Sequence, residues 1–133
     1  MTPQSQKAPR HEPGEIVWAD FGNYLESPGC SRKLRPMILL KTTDCQHYAA
    51  GITTKPAHAT SGAPRPPLPT PCGADGVRQY LWSRRAARVC RINVREHIGW
   101  VDRATVLFLR ETMPDAIDAE TFAALWRAAC RNG

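Results

Sequence analysis

Residues 14–21, GEIVWADF, alternate cleanly, with Ile16, Trp18 and Asp20 on one side and Val17, Ala19 and Phe21 on the other. A period of two predicts a strand. Residues 22–34, GNYLESPGCSRKL, break that pattern with Gly, Pro and charge and predict a long loop. RPMILLKT (35–42) is a short continuous apolar run that suits a buried strand, and Pro36, lacking an amide donor, belongs at its start or on an edge. HYAAGITT (47–54) predicts the next strand, with Gly51 marking a bulge or a close approach. Residues 56–76 hold so many prolines that they cannot pair inside a sheet, and they predict a long Pro-rich loop. VRQYLW (77–82) returns to strand character. ARVCRINV (87–94) alternates, with Val89, Arg91, Asn93 and Arg95 on one side and Cys90, Ile92 and Val94 on the other, which predicts a strand with a basic outer face. HIGWV (97–101) adds one more short strand.

The period then changes. Asp102 is placed to cap a helix through RATVLFLRETM (103–113), which Pro114 stops. Asp118 can cap a second helix, AETFAALWRAACR (119–131), whose Phe122, Leu125, Trp126 and Ala129 fall on one face. Strands first and helices last predict a mainly β, α+β domain, a small and strongly curved sheet or barrel with carboxy-terminal helices packed on it. Residues 1–12 are expected to form a flexible tail and 13–133 one domain containing the Pro-rich loop 56–76. The 133 residues suit a single core. No apolar run is long enough to span a bilayer, and the polar start lacks the apolar stretch of a secretory signal, so the expected location is the cytoplasm.

Charge changes the picture more than length does. Lys and Arg number 18 against 12 Asp and Glu, a formal net charge of +6, which favours a polyanionic partner such as nucleic acid. Arg78, Arg84, Arg85, Arg88, Arg91 and Arg95 crowd one stretch, interleaved with Tyr80, Trp82 and Trp100. Cations beside aromatic rings are the composition of a single-strand groove, where phosphates meet Arg and bases stack. The same composition also describes core tryptophans under a solvated basic face, the reading adopted for Trp18 and Trp126. The five cysteines contain no CxxC, and Cys45, His47 and Cys72 fit no recognised zinc spacing, so reduced thiols and no metal are expected. No nucleophile-base spacing and no Gly-rich phosphate loop ahead of a helix is visible.

Taken in order, GEIVWADF, RPMILL, GITTKP and IGWVDRATVLFL resemble the PemK/MazF family of toxin endoribonucleases, from Gly14 to about Arg110. The resemblance implies an SH3-like small β-barrel with a carboxy-terminal helix. It also implies a homodimer, an antitoxin partner, and cofactor-free cleavage of single-stranded RNA to a cyclic phosphate and a 5′-hydroxyl. The family arginine before the second-strand proline falls on Arg35, and the hydroxyl residue ending the third strand falls on Thr53. Arginine's planar fork matches phosphate oxygens, and a threonine hydroxyl can donate to another. Arg35 is therefore expected to stabilise the phosphorane and Thr53 to hold the phosphate, with Arg32, Lys33, Lys55, Arg84, Arg85, Arg91, Arg95 and Trp82 binding the RNA chain. Singly, such an arginine can serve only a surface ion pair, and such a threonine only a strand.

The chain departs from the family in its carboxylates. Where some members carry an Asp beside an Arg, this sequence offers Asn93 near Arg91 or, by another alignment, Trp82 or Ser83, and Glu26 lies farther ahead of Arg35 than usual. His47 and His97 are the candidate replacement bases. Rival readings are a non-catalytic nucleic-acid- or protein-binding module, or a toxin directed at a topoisomerase.

Overall fold

The computed structural model describes residues 10–20, 34–72 and 76–132. In chain order they form β1 (Glu15–Asp20), β2 (Leu34–Thr42), β3 (Gln46–Thr53), β4 (Tyr80–Leu81), β5 (Ala87–Cys90), a 3₁₀ turn (Arg91–Asn93), β6 (Val94–Trp100), α1 (Arg103–Thr112) and α2 (Ala119–Asn132). The result is an α+β architecture: one six-stranded antiparallel sheet followed by two helices.

The pairing order is β4-β3-β2-β1-β6, with β5 also on β3. Residues 46–49 of β3 pair with β5, whereas Ile52 and Thr53 pair with β4. No ladder among the described residues joins β6 to β4 or β5. The expected closed barrel is thus replaced by an open sheet.

Side-chain alternation divides the core in two. Ile38, Leu40, Ala50, Ile52 and Leu81 face the helices and meet Val106, Leu109, Met113, Leu125 and Ala129. The opposite face gathers Val17, Ala19, Met37, Leu39, Ala49 and Val89, all fully buried, with Trp82, Ala87 and Val94 against them. A register shift between Leu39 and Lys41 inserts one extra residue into β2. The bulge expected at Gly51 therefore lies on the neighbouring strand.

Local chemistry sets the helix ends. The Asp102 carboxylate accepts from the Thr105 amide at 2.9 Å, and Asp118 accepts from Thr121 at 2.8 Å, each satisfying an otherwise orphaned donor of the first turn. Both caps fall where the sequence places them. At the start of β1, Gly14 has φ +92°, and a Cβ there would lie 2.6 Å from the Ala128 Cβ. Only glycine lets the strand pass that close under α2.

Three expectations need correction. The 77–82 strand shrinks to two residues, because Tyr80 also bridges to Pro67 and the preceding backbone serves the Pro-rich loop: the Leu68 amide donates to the Gln79 carbonyl at 2.9 Å. The 87–94 strand breaks after Cys90 into the 3₁₀ turn, so Val89, paired with His47 in β5, is buried while Ile92 in the turn is 80% exposed. Trp18, assigned to the core, is 38% exposed; it alternates with the buried Val17 and Ala19, and its own face at that end of β1 is open. Trp126 does pack against the helix-side core, stacked on Phe122 with centroids 5.8 Å apart.

Candidate functional site

Arg35 and Thr53, the two residues expected to meet phosphate, lie on the small-core side of the sheet. β2 and β3 pair with Met37 opposite Gly51, Ile38 opposite Ala50 and Leu39 opposite Ala49. Continuing that register by two residues sets Arg35 opposite Thr53. Both then share the face of Met37, Leu39 and Ala49. On its other side Arg35 pairs with Ala19 of β1, a residue too small to cover it. Two residues distant in sequence thus fall on the same face at one end of the sheet.

Trp82 completes this end. Its amide donates to the Gly51 carbonyl at 2.8 Å, which docks the ring against the small core. The Arg35 guanidinium carbon lies 5.9 Å from the ring centroid, within cation–π range. The ring proposed for base stacking therefore gives support to Arg35. Thr53 is 6% exposed, and its hydroxyl oxygen accepts from the Lys55 amide at 3.2 Å. That contact uses the oxygen's lone pair and leaves its own proton to donate. Thr54 faces solvent.

The Pro-rich loop walls the same end. In its described part, Arg65 donates from Nε to the Trp82 carbonyl at 3.1 Å and from Nη1 to the carbonyls of Lys55 and Ala57 at 3.2 and 3.0 Å. Its Nη2 reaches His58 Nδ1 at 3.4 Å. Burial first, then the Arg35 charge, hold Arg65 below the usual arginine value. Neither arginine belongs to any of the ion pairs formed among the described residues, which join His11 and His97 to Glu15, and Arg131 to Glu12.

The remaining expected RNA contacts do not collect here. Arg84 and Arg85 line a cleft with Lys41, Tyr48, Asp115 and Asp118, a mixed-charge setting between β2, β3 and the α1–α2 connection. Arg91 donates to the Asp44 carbonyl at 3.0 Å, at the β2–β3 turn. Arg95 lines a separate groove with Trp18, Leu34 and Glu96. The break after Cys90 disperses what an unbroken strand would have aligned. Lys55 stays next to Thr53, exposed. Arg32 and Lys33 lie outside the described residues.

The proposed replacement bases lie elsewhere as well. His47 shares a strand with Thr53 but sits six residues before it, roughly 20 Å at strand rise. His97 pairs with Val17, two strands and two residues away from Arg35, roughly 12 Å. Both belong to a second polar group at the far end of the same face. There Glu15, 5% exposed, accepts from His11 Nδ1 at 2.6 Å, His97 Nδ1 at 3.0 Å and the Glu12 amide at 3.0 Å. Burial alone would raise the Glu15 carboxyl, but these bonds outweigh it and hold it below the usual value. His47 is 2% exposed, bonds the Thr42 hydroxyl at 2.9 Å and faces the His11 ring edge-on at 6.3 Å. Burial, then the His11 and Arg91 charges, push it down. Nothing in the sequence links positions 11, 15, 47 and 97, and the flexible tail expected over residues 1–12 takes in His11 and Glu12.

Asn93, one of the positions aligned with the family carboxylate, is 9% exposed, and its side-chain nitrogen finds no hydrogen-bond partner among the described residues. Among those residues no group of His, Cys, Asp and Glu is arranged to hold a metal ion, and no helix is long and apolar enough to cross a membrane. No protein-family model matches the chain, and comparison with curated proteins gives no match.

Proposed function

We propose that this protein is a PemK/MazF-like endoribonuclease that cleaves single-stranded RNA without a metal. The supporting feature is the shared sheet face of Arg35 and Thr53, which the β2–β3 register extended by two residues sets opposite each other, with the guanidinium over Trp82 and no carboxylate of the described ion pairs engaging it. In the reaction, the RNA 2′-oxygen attacks phosphorus, the bond to the 5′-oxygen breaks, and the products are a 2′,3′-cyclic phosphate and a 5′-hydroxyl. Arg35 meets the charge that develops on the phosphorane, and Thr53 donates to a second phosphate oxygen. Fixed donors of this kind supply much of the catalytic effect. The finer parts of the proposal are an SH3-like curvature of the sheet, a homodimer whose groove carries the RNA, and an antitoxin that holds the enzyme inactive.

The alternative is a binding module on the same sheet. It draws support from the distance of His47 and His97 from Arg35 and from the asparagine at position 93, which leave the site without an evident general base. Incubating the purified protein with a long RNA in EDTA separates the two. The nuclease yields discrete fragments ending in cyclic phosphate, whereas salt-sensitive binding without fragments establishes the module.

A further inference from the structure

The Pro-rich segment is the largest feature that the sequence left without a role. It is folded back on itself: Ala57 bridges Pro64, the His58 amide donates to Ala63 at 3.0 Å, and the Arg65 amide donates to Pro56 at 2.8 Å. Leu68 and Cys72 anchor its second half in the helix-side core. The described part of the loop is thus a fixed wall, and it presents one cation, Arg65, to the site. Arg65 and Arg35 converge on a single residue, the first through the Trp82 carbonyl and the second over the Trp82 ring. Two like charges brought to one residue repel each other, and folding gains nothing from that unless a further group offsets it.

We propose that Arg65 is the second cation of an anion site shared with Arg35, and that the site takes a doubly charged phosphate. The proposal rests on the assignment of Arg35 to phosphate binding and extends it in substrate class. Of the five N–H bonds of Arg65, three donate to the carbonyls of Trp82, Lys55 and Ala57, and a fourth faces His58. That tether fixes the position of the charge and leaves one Nη2 proton for an anion. A phosphorane bears one more negative charge than the ground-state phosphodiester, so a second fixed cation favours the transition state over the substrate. The loop would then contribute to catalysis through charge as well as shape.

Inorganic phosphate is the probe, titrated into the full-length protein while the Trp82 indole N–H and the arginine Nε–H resonances are followed. Arg65→Gln is expected to weaken phosphate binding about tenfold, and Arg65→Lys, which keeps the charge, by less than about threefold; a charge-assisted hydrogen bond is worth about that much. Arg35→Gln and Arg65→Gln combined should cost less than the product of the two single losses, because they share one anion. Unchanged affinity in Arg65→Gln overturns the proposal. Equal losses in the Gln and Lys variants also overturn it, since they show a tether and nothing more. Circular dichroism confirms that each variant is folded. Phosphate binding with this pattern but no RNA cleavage keeps the anion site and removes the nuclease, while cleavage insensitive to Arg65→Gln does the reverse.

Discussion

Replacing Glu15 by Gln should cost stability in a way that depends on pH. The wild-type carboxylate is 5% exposed and accepts from two imidazoles and one amide. Hydrogen bonds to a charged group contribute about 1.5–3 kcal/mol each. They are not additive, and the His97 side chain is 42% exposed, so its share is small. A net loss of about 2–4 kcal/mol at pH 7 is expected. For a chain of this length that corresponds to a fall in Tm of roughly 7–14 °C. The sign with pH follows from the lowered Glu15 value. A carboxyl held below its unfolded value stabilises the fold above that value, and the gain disappears as pH falls through the folded one. The gap between wild type and variant should therefore be full at pH 7 and close as pH falls below about 4. Buried His47, also lowered, adds a loss in both proteins as pH falls below about 6.5, because the unfolded chain takes up that proton first. Thermal melts at pH 7, 5.5 and 3.5 read both effects. A gap that stays constant across the series would refute a charged Glu15 and leave packing as the cause.

Gly14→Ala should lower stability by about 2–4 kcal/mol, since the backbone there is left-handed and the added carbon meets Ala128 at 2.6 Å; urea unfolding should show a lower midpoint at an unchanged m-value. Asp102→Ala should cost about 1–2 kcal/mol by removing the α1 cap and its 2.6 Å bond from the Thr70 hydroxyl, read in the same assay. Thr53→Ala should slow RNA cleavage far more than Thr54→Ala, because only Thr53 shares the Arg35 face; single-turnover rates decide, and the opposite order would put the site on the other face of β3.

Alternation carried β1, a continuous apolar run carried β2, and the caps carried the helices, because each is specified within a few neighbouring residues. GEIVWADF buries Val17 and Ala19 as its period demands, and Asp102 and Asp118 accept where a cap should. What was not legible depends on tertiary competition. Tyr80 looks like part of a long strand until the Pro-rich loop takes the neighbouring backbone. Arg91 and Arg95 look coplanar until the 3₁₀ turn separates them. Arg35 and Thr53 are named through the family resemblance, and the β2–β3 register, continued by two residues, puts them on one face. Arg65 was hidden among prolines, and the Glu15 cluster joins residues up to 86 positions apart, a relation no local pattern encodes. Trp18 illustrates the same limit, since period two tells which residues share a face but not which face is covered.

The most direct test of the central claim is single-turnover cleavage of a long RNA in EDTA by wild type and Arg35→Ala, with the fragment ends identified by mass spectrometry. Circular dichroism serves as the fold control. The account predicts 2′,3′-cyclic phosphate and 5′-hydroxyl ends from wild type, and a rate lower by about a hundredfold or more in the folded variant. Intact RNA with wild type, or equal rates with wild type and Arg35→Ala, would contradict it.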